Sequence, residues 1–393
     1  MGILRVYLAL CVIADHAGHV FPWRMHEGRQ AVQIFYVISG FYMAMILSSR
    51  YGKPRDFYIS RFLRIFPPYW IVLVGTVVAS AAAGLLFNRW LLLRTYVNHP
   101  FVHNGPAGIF LSAFTNLTII GQDWIMFLQQ DAGQRLHFTA DFWNNRSPLW
   151  RYLLVPQSWS IGLELTFYAF APYLNRLRSR WLAYIAIGAL GARLLAYRYL
   201  DLAHDPWDYR FFPFEISLFL FGMLGYRLYA RTTPRHPSQR WRCASGISYL
   251  FGAALLLLLL YVHLLVIQRL GGIIGPEFAV LVTYPFLIAV IPVLFFIFGN
   301  HKFDRLIGEL SYPIYLLHYF VLVAVANVLA CFGTDKGLGM IGAAVSVVLA
   351  AVFYRLFIAR LDKKRHFLTI KNPGLRAEAN KPADQAGAGS PFK

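Results

Sequence analysis

An arginine and a histidine eleven residues apart, Arg5 and His16, bracket the first apolar stretch of the chain, LRVYLALCVIADHAGHVF. A helix advances about 100° and about 1.5 Å per residue, so the two share one face to within about 20° and stand about 16 Å apart. A fixed cation at one end of such a face suits an anion, and an imidazole at the other end suits proton transfer. Ionisable groups on an apolar segment are functional candidates by default. The competing reading is a histidine hydrogen-bonded to a neighbouring helix and an arginine reaching toward a polar surface.

Other side chains could join this pair. Glu164, in PQSWSIGLELTFY, could fix the tautomer of His16 and raise its basicity, as a general base requires. Glu164 could instead form a structural ion pair with Arg193 of the following apolar run. Asp15 adjoins His16 and so points about 100° away from it, which makes it the weaker partner. Arg61 and Arg64, in RDFYISRFLRIFPPYW, are three apart on one helix face. With Arg5 they would form a cationic pocket for phosphates, against a reading as anchors at a lipid surface. His318 sits mid-run beside Ser311, Tyr312 and Tyr315 and reads first as a packing residue. Glu215 and Glu309 fall near run ends and read as interfacial, while Ser39 and Ser160 are candidate oxyanion donors. No Gly-rich phosphate loop, HExxH or GxSxG occurs, and Cys11, Cys243 and Cys331 are too scattered for a metal site or disulfide framework.

These groups need an apolar scaffold to position them. The 393 residues are 58% hydrophobic and 14% charged, far from a soluble domain. Repeated runs long enough to cross a bilayer predict an all-α polytopic membrane protein with about ten transmembrane helices. The expected spans are 4–22, 29–48, 65–87, 156–174, 181–200, 211–230, 244–266, 278–299, 307–330 and 339–359, the first of them uncleaved. The net charge of +19 lies in the connecting segments, which argues for membrane orientation and against nucleic acid. With the stretch 107–128, interrupted by Asn116, Gln122 and Asp123, not crossing, one set of loops holds 21 Lys or Arg (Lys393 left out) against 5 Asp or Glu. The opposite loops are nearly balanced. The positive-inside rule then places both N- and C-termini in the cytoplasm. Residues 1–362 form the membrane domain, with 88–155 an outer, partly embedded segment, and 363–393 a basic, disordered cytoplasmic tail.

Five stretches together resemble the bacterial acyltransferase family 3, integral membrane enzymes that O-acylate glycans. They are Arg5 with His16, AVQIFYVISGF (31–41), RFLRIFP (61–67), WSIGLELTFY (159–168) and SYPIYLLH (311–318), in family order across residues 1 to about 360. Trp159, Ser160, Ser311, Tyr315 and His318 enter as supporting residues through these motifs. The chain departs from the pattern where Gln33 replaces a common Asp and Leu165 a common second Glu, and no fused esterase-like domain is expected. The resemblance implies a bacterial inner-membrane enzyme that takes an acyl group, acetyl by default, from cytoplasmic acyl-CoA and passes it to a hydroxyl of a polysaccharide or lipid-linked sugar. Arg5, Arg61 and Arg64 would hold the CoA phosphates, no metal would be needed, and His16, oriented by Glu164 or Asp15, would deprotonate the acceptor along one passage shared with Arg5. The rival is a glycolipid transporter or flippase with a proton relay through His16, Glu164 and Arg193.

Overall fold

The computed structural model describes residues 1–49, 51, 53–98, 105–131, 133–141, 143, 148–232, 246–299 and 301–362. The expected tail, 363–393, and Cys243 lie outside the described residues. Among the described residues twelve α-helices follow in order: α1 (Gly2–Ala17), α2 (Gly28–Ser49), α3 (Pro54–Phe87), α4 (Arg94–Asn98), α5 (Pro106–Thr118), α6 (Trp159–Leu174), α7 (Ser179–Leu200), α8 (Phe212–Thr232), α9 (Gly246–Ile274), α10 (Pro276–Phe298), α11 (Lys302–Cys331) and α12 (Leu338–Phe353). A two-stranded antiparallel ribbon, β1 (Leu128–Gln130) and β2 (Leu136–Phe138), pairs Leu128 with Phe138.

Among the described residues, five helical stretches are long and apolar enough to cross a bilayer: Gly28–Ser49, Pro54–Phe87, Tyr249–Ile274, Lys302–Cys331 and Leu338–Asp362. Chain and helices together are those of an all-α, multi-pass membrane protein. Apolar side chains point outward as well as inward, since Val74, Val78, Leu85 and Phe87 of α3 and Leu250, Phe251 and Leu258 of α9 are exposed. That inversion is what a lipid solvent permits and water does not.

Several boundaries differ from the sequence expectation. The first helix ends at Ala17, not residue 22, because Gly18 takes φ +79°, a left-handed conformation that costs a glycine little. The third starts at Pro54, eleven residues before the expected span, and carries Pro67 and Pro68 in its interior. Those prolines remove two amide donors. Beside them the Ile65 carbonyl accepts from the Tyr312 hydroxyl of α11 at 2.9 Å. The stretch 107–128 is not one helix. After 13 residues α5 stops, and Ile119 (φ +65°) and Gly121 (φ +82°) turn the chain back. The Asn116 side chain then ties Tyr152 and Leu154 together, and Tyr69 of α3 donates to the Asn116 carbonyl at 2.6 Å. The stretch from α5 to Leu154 is thereby pinned to α3.

α2 sits at the centre, packed on α1, α6, α8 and α10, while α1 also packs on α11 and α12. Glycine sets the α2–α8 spacing. A Cβ on Gly222 would lie 2.0 Å from the Val37 carbonyl oxygen, and one on Gly40 would lie 1.9 Å from that of Phe219. Backbone cannot step aside as a side chain can, so Gly222→Ala is expected to cost about 1–3 kcal/mol. The apparent melting temperature in detergent would fall accordingly. Gly188→Ala, with nothing within 4 Å of the added carbon, should leave it unchanged.

Candidate active site

A cavity of about 1050 Å³ opens between α1, α2, α3, α6 and α11. Four guanidinium groups line it, those of Arg5, Arg61, Arg64 and Arg305, with three carboxylates, those of Glu164, Asp304 and Glu309. α3 supplies Arg61 and Arg64 from successive turns, as their spacing requires. Arg61 is buried and its Nε has no hydrogen-bond partner among the described residues. Arg64 pairs with Glu309 at 3.3 Å, so Glu309 belongs to the cavity and is not the interfacial residue expected from its place in the sequence. Asp304 is spoken for: the backbone amides of Gly2 and Ile3 donate to it, at 2.6 and 3.1 Å, and Tyr249 at 3.3 Å. A carboxylate there meets the positive end of α1. Arg305 has no counterpart among the sequence candidates. Its signal was a basic residue at the start of a helix whose later turns already supplied Ser311, Tyr315 and His318.

Halfway along, Glu164 accepts hydrogen bonds from the Ser39 hydroxyl of α2 and from Tyr168 one turn on, the latter at 2.5 Å. This corrects two expectations. Glu164 does not pair with Arg193, and neither Glu164 nor Asp15 touches the His16 ring in a hydrogen bond. Asp15 accepts from the Gly28 amide at 3.0 Å and so caps the first turn of α2. Ser39, engaged with Glu164, and Ser160, engaged with Tyr315, are both bonded within the protein and not free to serve as oxyanion donors as they stand. The Ser311 hydroxyl is turned back to the Gly308 carbonyl at 2.8 Å.

The lining includes Tyr36, Ser160 and Tyr315. The Tyr315 hydroxyl donates to the Gln157 carbonyl at 2.9 Å, and Ser160 Oγ lies 2.6 Å from that tyrosine hydroxyl. His16 is not among the lining residues, so the single passage expected from Arg5 to His16 is divided. On α11 the lining stops at Tyr315, whose hydroxyl is held by Gln157 and Ser160. Beyond it lies His318, 5.5 Å from Tyr315 between ring centroids. His16, exposed at the end of α1, stacks on His318 at 5.6 Å and meets Tyr319 edge-on at 5.6 Å.

Arg193 belongs to a separate buried cluster. It pairs with Glu215 at 2.9 Å, donates to Tyr284 at 2.9 Å and Tyr197 at 2.7 Å, and reaches the Asp208 carbonyl. Glu215, expected at an interface, is fully buried and also accepts from Gln33 at 3.2 Å. In the turn before α8, burial raises the Asp208 carboxyl against the opposing pull of Arg29. Trp159 stacks under Arg210, whose guanidinium carbon lies 4.1 Å from the indole centroid. Burial likewise pushes Asp123, packed against Gly162 of α6, up to about 7. Among the described residues no group of three or more His, Cys, Asp or Glu is arranged to hold a metal.

Arginines of α1, α3 and α11 thus share a cavity with Glu164 and Tyr315, and His318 and His16 stack outside its lining. The family model described as an acyltransferase domain matches residues 1–358. The chain belongs to this acyltransferase family. It is 26% identical over 357 residues to the exopolysaccharide production protein ExoZ of Rhizobium meliloti (strain 1021), covering 88% of this chain and 92% of that one. It is also 26% identical over 341 residues to the putative peptidoglycan O-acetyltransferase YrhL of Bacillus subtilis (strain 168), covering 81% of this chain and 48% of that protein. No solved structure matches. The acyltransferase assignment spans every helix that lines the cavity.

Proposed function

We propose that this acyltransferase moves an acyl group, acetyl by default, from acyl-CoA in the cytoplasm to a hydroxyl of a polysaccharide or lipid-linked sugar, with ten spans and both termini on the cytoplasmic side of a bacterial inner membrane. The observation that carries the reading is the cavity that four arginines share with the Ser160–Tyr315 pair. Acyl-CoA is polyanionic at one end and a thioester at the other, joined by a long flexible arm. Its phosphates would dock on Arg5, Arg61, Arg64 and Arg305, bidentate where the guanidinium is free. The arm would follow α11 from Arg305 to Tyr315, ten residues or about 15 Å of helix.

The thioester then arrives beside Glu164, Ser160 and Tyr315, and the acceptor approaches from the side of His16. His16 removes the hydroxyl proton as the oxygen attacks the acyl carbon, and the departing thiolate recovers that proton. Tyr315 must swing from its partners for the two halves to meet. The names of the two relatives, one for exopolysaccharide production and one for peptidoglycan O-acetylation, support a glycan acceptor.

The test is donor binding. Purified protein in nanodiscs should bind acetyl-CoA by calorimetry. Arg61→Ala removes a buried cation with a free Nε and should weaken binding by about 10- to 100-fold. Arg64→Ala should weaken it less, because Glu309 already neutralises that arginine. Absence of acetyl-CoA binding by the unaltered protein would refute the donor assignment.

A further inference from the structure

His318 reads as a packing residue by burial alone, with 0% of its surface exposed. Its hydrogen bonding says otherwise. Nδ1 lies 2.7 Å from the carbonyl oxygen of Tyr315. A carbonyl only accepts, so Nδ1 carries the hydrogen, and in the neutral ring Nε2 carries the lone pair. Nε2 is buried and has no partner among the described residues. An acceptor left bare in the interior is costly and calls for a donor that arrives during function. The ring contacts two others: Tyr315, which lines the cavity, and His16, which does not and which stacks on it. The expected carboxylate partners of His16 are both occupied elsewhere, Asp15 at the start of α2 and Glu164 with Ser39 and Tyr168.

Resting on the acyl-transfer reading above, we propose that His318 is the positioning residue for His16, and that its Nε2 accepts the N–H on the ring nitrogen of His16 opposite the one that takes the acceptor's proton. The exposed His16 ring turns out of the stack to point that N–H at Nε2. The acceptor O–H bond breaks and its proton moves to His16. The oxygen bonds to the acyl carbon, the carbon–sulfur bond breaks, and the CoA thiolate takes the proton back from His16. His318 exchanges no proton and stays neutral, held in one tautomer by the Tyr315 carbonyl. Asp15, Arg210, Tyr315 and Tyr319 are the other charged or titratable groups around the pair.

Three variants of the full chain separate this role from packing. His318→Phe keeps a ring and has no acceptor. His318→Asn keeps an amide N–H near Nδ1 and has nothing at Nε2, whereas His318→Gln reaches the Nε2 position with an amide oxygen. Membrane vesicles would be given radiolabelled acetyl-CoA, with label counted in the polysaccharide fraction and binding of CoA to the purified variants confirming the fold. Phe and Asn variants should transfer about 10- to 100-fold more slowly at unchanged CoA affinity, the loss of one hydrogen bond to a charged group, and Gln should recover most of the rate. Phe or Asn variants working at the unaltered rate would overturn the proposal, as would a Gln variant no better than Asn. An unaltered protein that neither binds CoA nor transfers label would instead sink the acyl-transfer reading, and this one with it.

Discussion

His16→Ala is expected to lower acyl transfer by about 100- to 10,000-fold, the range removed with a general base. CoA binding and stability should be unaffected. His16 is exposed at the last turn of α1 and outside the cavity lining, so its side chain carries little of the packing. The measurement is the acetyl signal in proton NMR of the surface polysaccharide from a strain expressing the variant, beside calorimetric CoA affinity of the purified protein. Full acetylation by the variant would remove His16 from the mechanism. Loss of CoA binding together with transfer would place its role in the fold and not in the chemistry.

Arg193→Met should be the most damaging single change outside the cavity. It strips the cation from Glu215, which is fully buried, and takes the guanidinium donor away from Tyr197 and Tyr284, while the Asp208 carbonyl keeps Gln33 and Tyr197. Breaking one side of a buried ion pair costs about 3–5 kcal/mol. The variant should melt well below the parent in detergent and accumulate poorly. Adding Glu215→Gln removes the uncompensated charge and lets Gln33 bond a neutral amide, so the double variant should recover a large part of the loss. If the second substitution made no difference, the ion pair would not be what holds α7 against α8.

The gain from the second change would also show that Arg193 is structural. It shares its surroundings with Gln33, and the Gln33 side chain bridges the Asp208 carbonyl at 3.1 Å and the Glu215 carboxylate. A carboxylate in place of Gln33 would crowd two negative charges into that buried site around one guanidinium. The glutamine is therefore the residue that this cluster accommodates.

The chain's order along one dimension was enough to find the bundle and the cationic face. Apolar runs and the positions of prolines and glycines mark helices because lipid leaves the backbone no other way to satisfy its polar groups. Arg61 and Arg64 could be placed together because three residues make nearly one turn, and both line the cavity. Partner choice across helices was another matter. By depth alone, Glu164 was as near to His16 or Arg193 as to Ser39. What decided between them was the rotation of α6 about its axis, set by Gly162 packing on the turn at Ile119–Asp123 and by Ser160 bonding to Tyr315. A shift of one residue rotates a helix face by about 100°, and hydropathy does not resolve that angle when every face is apolar. The same reason hid the division of the passage. On α11 the cavity lining stops at Tyr315, whose hydroxyl is held by the Gln157 carbonyl and Ser160, more than 150 positions away in sequence, a contact that exists only once the helices have packed.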